Sequence, residues 1–310
     1  MNIKVLPAII WLLLCSSPLF AQKKDSAIMV DGNYIALSEI VVNSQLDVRS
    51  FIERVKNDTT FYKAFKNLRI LGYTSINDIK MLDKKGRIIA GLHSKTKQVR
   101  QNNCRKMEVL EQQTVGDIYD RSGAFNYYTA QMYASLFFTR DSVCGETNII
   151  KGNEISTDGL SGMARHKEQL KMLFFNPGKK INGLPFISNK TEIFSESMAD
   201  KYDMNIDLSD YNGQSCYVFT IKVKQGKEDR VVIDEMTTWF TEKNFEIVAR
   251  NYSLKYDAGL YDFDVDMKVK MTRLGQLLVP SLLSYNGNWK AIFKKRERGV
   301  FTATLFDFVP

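Results

Sequence analysis

From residue 202 onward, apolar and polar positions alternate with a period of two. Tyr202, Met204, Ile206 and Leu208 interleave with Asp203, Asn205 and Asp207, and Tyr217, Phe219, Ile221 and Val223 follow in the same manner. The longest such run sets Tyr261, Phe263, Val265, Met267, Val269 and Met271 against Asp262, Asp264, Asp266, Lys268 and Lys270. This is the pattern of strands with one buried and one solvated face. Asn212-Gly213 predicts a tight turn, residues 231–241 and 245–256 predict a further pair across Glu242-Lys243-Asn244, and a last hairpin is expected between 289–293 and 301–308.

Toward the N-terminus, two short apolar runs flank Asp31-Gly32-Asn33 and predict a hairpin, and Ile40-Val41-Val42 reads as a third β-branched run. At Asp47, a natural helix cap, the period changes: Val48, Phe51, Ile52 and Val55 make one helical stripe, extended by Tyr62, Phe65 and Leu68 beyond Asn57-Asp58-Thr59. Asp83-Lys84-Lys85-Gly86 predicts a turn between strands at 76–82 and 87–92. Residues 94–103 read either as the outer half of a long strand or as a loop, and Met107 to Leu110 resumes the sheet. Residues 125–138 are apolar on nearly every side, as in a helix that is buried or covered. A third helix is expected over 163–175, ended by Asn176-Pro177-Gly178.

These elements define an α+β protein: a large curved antiparallel sheet, unclosed and half-barrel-like, with about three helices against its concave face. Residues 22–45 form an N-terminal hairpin and 46–310 a single domain. Residues 1–21 read as a secretory signal, with Lys4, a short apolar run and cleavage after Ala21. Leu14 stands before Cys15 where lipidation would call for a small residue, so a soluble exported protein is expected rather than a lipid-anchored one. Nothing later in the chain has the length and apolarity of a membrane span.

The net charge of +8 is spread thinly. The one dense basic run, Lys294-Lys295-Arg296-Glu297-Arg298, reads as a solvated hairpin tip, and a nucleic-acid protein would cluster its basic residues. Cys104, Cys144 and Cys216 would survive processing, enough for at most one internal disulfide and a free thiol.

Catalytic chemistry finds little footing. The chain has 2 histidines, His93 and His166, so a histidine-rich metal site is excluded. Ser161 lacks the glycine two places on that a nucleophile elbow requires. Asp262, Asp264 and Asp266 share one strand face about 7 Å apart and lack a calcium loop's glycine and terminal Glu. No metal and no cofactor is expected. The remaining signal is 12% aromatic residues and 12 Met. Phe219, Trp239 and Phe263 on the sheet, with Phe137, Phe138, Leu173 and Phe174 on the helices, could line an apolar ligand cavity. The other reading of the same residues is a packed core.

The run Tyr211-Asn212-Gly213-Gln214-Ser215-Cys216-Tyr217-Val218-Phe219 resembles a strand of the LolA/LolB-like lipoprotein-carrier superfamily, and Trp239 to Val248 resembles the strand, turn and strand that follow it there. The resemblance covers residues 202–256. It implies an unclosed barrel plugged by helices that holds lipid-like ligands in the periplasm. The chain is longer than a typical carrier of that family. Leu37 to Val42 and Thr60 to Phe65 are similar to segments of exported Bacteroidota proteins. The expected function is therefore a non-enzymatic, periplasmic or outer-membrane-associated protein binding a lipid or lipidated partner. The alternative is a structural or interaction protein of the envelope with a filled core.

Overall fold

In the computed structural model, residues 26–150, 165, 168–184, 187–257, 261–291 and 295–310 are described. The proposed signal sequence, Cys15, Ser161 and His166 lie outside them.

One 13-stranded sheet carries the fold, in the order β1-β2-β7-β8-β9-β10-β11-β12-β13-β3-β4-β5-β6. Its strands are β1 Ser26–Val30, β2 Asn33–Leu37, β3 Gly72–Leu82, β4 Ile88–Gln101, β5 Cys104–Gly116 and β6 Val143–Cys144. The second half adds β7 Tyr202–Tyr211, β8 Gln214–Val223, β9 Ile233–Thr241, β10 Ile247–Asp257, β11 Tyr261–Leu274, β12 Leu277–Ala291 and β13 Glu297–Val309. The sheet is open, with β1 and β6 at its ends, and every pairing is antiparallel except β2 with β7, which is parallel. The last strand pairs with β3, so the β3–β5 meander extends the sheet beyond β13.

The alternation read from the sequence sets the inner face. Phe263, Val265, Met267 and Val269 are buried while Asp264, Asp266, Lys268 and Lys270 are exposed. The aspartates thus stand on a solvated face. At Asn212-Gly213 both residues have positive φ, 54° and 81°, a conformation that Gly adopts without penalty.

The helices are α1 Glu39–Val42, α2 Val48–Asn57, α3 Thr60–Asn67, α4 Tyr128–Phe137, α5 Met172–Phe175 and α6 Glu196–Ala199. Asp47 caps α2, accepting the Ser50 N–H at 3.1 Å, and Val48, Phe51, Ile52 and Val55 are all buried. Helix α4 has no capping side chain of its own. Glu297 of β13 accepts the N–H groups of Tyr128 and Thr129 at 3.0 and 2.7 Å, placing a carboxylate at the positive end of the helix.

Two expectations are corrected, and a third falls partly outside the described residues. Ile40-Val41-Val42 forms a helical turn, closed by Val42 N–H to the Ser38 carbonyl at 3.0 Å and Asn43 N–H to the Glu39 carbonyl at 3.2 Å, with Val41 turned inward. The last hairpin is longer than expected and differently registered: Trp289 pairs with Glu297, and Leu282 with Thr304. Of the helix expected over 163–175, residues 165, 168–170 and 172–175 are helical among those described. Residues 94–103, left open between strand and loop, carry β4 as far as Gln101.

Candidate functional site

The inner face is filled where the sequence pointed to a cavity. Phe219 is 1% exposed beneath α2 and stacks on Phe194. Phe263 stacks on Trp289 with ring centroids 4.6 Å apart, and Phe174 packs beside the same indole. Leu173 is also buried. Under α4, a void of about 10 Å³ remains among Thr129, Met132, Tyr133, Leu136, Phe137, Phe174, Met267, Tyr285 and Phe301. That is about the space of one water. The Thr129 and Tyr133 hydroxyls, which border it, find no hydrogen-bond partner among the described residues.

Trp239 is not on this face. Met236, Thr238 and Phe240 are buried positions of β9, facing Ile221, Phe219 and Tyr217 across the ladder. A neighbour one residue away must point outward, and Trp239 packs on Tyr211 at 5.3 Å.

The open space lies one strand pair further on. Beyond α4 the inner face continues over β4 and β5 with no helix above it among the described residues, leaving a groove of about 420 Å³. Leu92, Ser94 and Thr96 of β4 line it with Met107, Val109 and Gln112 of β5. The register confirms one shared face: Ser94 lies opposite Gln112, and Thr96 opposite Val109. The far wall is Ala134, Phe138, Tyr119 and Phe125. Tyr119 and Phe125 bridge as backbone partners, and their rings lie 4.8 Å apart. Between them Asp120 fixes the loop, its carboxylate accepting the N–H groups of Ser122 and Ala124 at 2.7 and 3.0 Å. Val109 is 58% exposed, a large apolar side chain left uncovered on a groove wall. Beta5 ends at Gly116, where nothing larger fits: a Cβ there would stand 2.1 Å from the Ile89 carbonyl oxygen.

Phe138 also walls a second, smaller cavity of about 90 Å³ between α3, α4 and α5. Its apolar lining is Phe65, Leu136, Phe137, Phe138 and Phe175, and its polar lining is Lys66, Arg69, Arg105 and Gln98. Arg69 and Arg105 both donate to the Glu146 carboxylate, Arg69 Nη1 at 3.0 Å to Oε1 and Arg105 Nε to Oε2. Arg105 Nη1 also reaches Thr139 and Gln98, the latter at 3.0 Å. Gln98 is held in turn by donating to the Leu68 and Leu71 carbonyls. Burial pushes the Glu146 carboxyl up, but the Arg105 hydrogen bond and the charges of Arg105, Arg69 and Lys66 outweigh it and leave the group below its ordinary value of 4.5. A carboxylate depressed in this way adds stability that is full above that value and is lost as pH falls through the lower, folded one. Glu146→Gln is therefore expected to flatten the acid limb of a stability–pH profile below about pH 4.5, read by urea unfolding.

Of the residues singled out from sequence, Phe137 and Phe138 border open space, Leu173, Phe174, Phe219 and Phe263 are packed core, and Trp239 is outside. Leu92, Met107, Val109 and Tyr119, which line the open groove, carry no sequence signal that sets them apart. The period-two pattern of Met107, Val109 and their neighbours predicts a strand but cannot show that its inner face goes uncovered.

Cys104 and Cys144 form a disulfide across β5 and β6, and Cys216 is a free, buried thiol. Among the described residues no group of His, Cys, Asp and Glu is arranged to hold a metal ion, and no helix is long and apolar enough to cross a membrane.

No family model matches the chain, and no curated protein matches it in sequence. Among solved structures the chain is similar to a DUF1329 family protein from Desulfovibrio piger, at 10% identity over 81% of this chain and 93% of that one, with a TM-score of 0.23. It is also similar to an outer membrane lipoprotein-sorting protein domain from Vibrio parahaemolyticus, at 8% identity over 79% and 88%, with a TM-score of 0.25. A LolA superfamily protein from Nitrosomonas europaea matches at 11% identity over 82% and 96%, with a TM-score of 0.24.

Proposed function

We propose that this is an exported, non-enzymatic protein that binds the acyl chain of a lipid or lipidated partner in the groove between β4–β5 and α4. The uncovered inner face carries the reading. The groove's volume of about 420 Å³ falls in the range of ligand pockets, roughly 300–1,000 Å³, and Leu92, Met107, Val109, Tyr119, Phe125 and Phe138 give it apolar walls. The larger depression of about 640 Å³ near Asp262 and Arg296 is lined mainly by charged residues such as Glu228, Asp229, Lys255 and Arg298, and suits an acyl chain poorly. A disulfide belongs to an oxidising compartment, which supports a place in the periplasm or at the outer membrane. Mature residues then begin at Gln22.

The test uses an uncharged chain, methyl parinarate, whose fluorescence rises on entering an apolar site. The protein is expected to bind it. Val109→Glu is expected to weaken binding about tenfold or more, because it sets a charge on the groove wall at a position exposed enough to keep the fold. Leu110→Glu, at the bulged residue next along β5, 49% exposed and outside the groove lining, is the matched control and should leave binding unchanged. Absence of binding, or equal loss in both variants, would overturn the reading. It would favour an envelope interaction protein, for which the packed core beneath α2 and α5 is the supporting observation.

A further inference from the structure

We propose that the groove's ligand is an anionic amphiphile whose carboxylate is held by Lys66, Arg69 and Arg105, in the position that Glu146 fills in the structure described here. This rests on the groove reading and adds the head-group class to it.

The cavity beside the groove is built like a head-group site. Three cationic side chains from α3, the turn after it and β5 converge on it, and Glu146 is the one carboxylate within ion-pair distance of any of them among the described residues. Among the described residues Lys66 makes no ion pair or hydrogen bond there, and burial followed by the neighbouring charge of Arg69 pushes its ammonium below the ordinary range. The site also displays its own ligand. Arg69 and Arg105 each donate to a different oxygen of one carboxylate, charge-assisted hydrogen bonds that neutralise it from two sides.

Glu146 reaches this position from a loop and not from the sheet or a helix. The Cys104–Cys144 bridge and a hydrogen bond from Gly145 N–H to the Asn103 carbonyl, at 3.0 Å, bring the loop over the cavity. Asn148 fastens its other side by donating to Asn67 at 2.8 Å. A loop carboxylate can leave more easily than one fixed in the sheet, so Glu146 acts as an internal competitor. The two spaces adjoin: Phe138 walls both, and Thr139 lines the groove while accepting from Arg105. An acyl chain lying along Met107 and Val109 would bring its carboxylate to Arg105.

The experiment compares parinaric acid with its methyl ester at about pH 8, where an ordinary carboxylic acid is ionised. The expected result is that the acid binds about tenfold tighter than the ester and that added salt narrows the gap. Arg69→Gln, at a partly exposed position, should bring the ratio toward one while the ester's affinity stays. Glu146→Gln should tighten acid binding about three- to tenfold and leave the ester unchanged, a gain that simple loss of structure would not produce. If both probes bind equally to the wild type, the head-group proposal falls and the groove reading stands. Acid affinity that fails to rise in a folded Glu146→Gln protein also overturns the proposal. If neither probe binds, the groove reading itself has failed.

Discussion

Phe51→Ala is expected to cost about 3–5 kcal/mol of folding stability, the usual range for emptying a buried aromatic site. Phe51 is 2% exposed, and its ring meets Phe240 at 5.3 Å, Tyr217 and Phe245 at 5.9 Å, and Phe219 at 6.1 Å. Those four partners come from β8, β9 and the turn before β10, so one side chain seats α2 on three neighbouring parts of the sheet. Edge-on contacts such as those with Phe240 and Phe219 add favourable quadrupole terms that an alanine cannot replace. The surrounding strands are tied by ladder hydrogen bonds and cannot collapse into the space, which favours the upper part of the range. Urea unfolding measures the loss as a lower midpoint at an unchanged slope. Ile40→Ala, at a site 58% exposed, should stay within about 0.5 kcal/mol. A Phe51→Ala loss below about 1 kcal/mol would mean that α2 is not seated as described.

That residue also shows what the sequence could reveal. Spacing alone placed Phe51 with Val48, Ile52 and Val55 on one helical stripe, and all four are buried because a helix beside a sheet has one place to put such a stripe. The β7–β8 hairpin was equally legible, since Asn-Gly fixes the turn and the turn fixes the register. Trp239 failed for a reason of parity. In a strand a shift of one residue exchanges the two faces, and a run as apolar as Met236 to Phe240 does not reveal its own phase. The groove was out of reach for a different reason. It depends on β13 pairing with β3, a contact between chain segments more than 200 residues apart. It also depends on how much sheet the helices can cover. Thirteen strands at ~4.8 Å spacing make a sheet roughly 60 Å across, while a ten-residue helix such as α4 spans only about 15 Å. Some inner face had to remain uncovered, but only the strand order shows that β4 and β5 are the ones.

Replacing both Cys104 and Cys144 by Ser is expected to lower stability by about 2–4 kcal/mol. The two cysteines lie 40 residues apart, and closing a loop of that length restricts the unfolded chain by about 4 kcal/mol in the entropic treatment. The true loss should fall below that ceiling, because residual structure in the unfolded state already reduces the entropy available. The bridged loop contains most of β5, the Tyr119–Phe125 wall and all of α4, so the cross-link encloses the groove and not merely a surface turn. Its local effect should follow the same direction. Beta6 has only two residues, paired as Cys104 with Cys144 and Arg105 with Val143, too few to hold a strand by backbone hydrogen bonds alone. Without the bridge, the segment that delivers Glu146 keeps its ion pairs to Arg69 and Arg105 and its Asn148–Asn67 hydrogen bond, all partly solvated and individually worth little. Urea unfolding of the wild type with and without reductant, beside the double Ser variant, reads the effect. Reduced wild type and variant should coincide about 2–4 kcal/mol below the oxidised protein. Equal stability of all three would show that the bridge imposes no constraint that the sheet does not already supply.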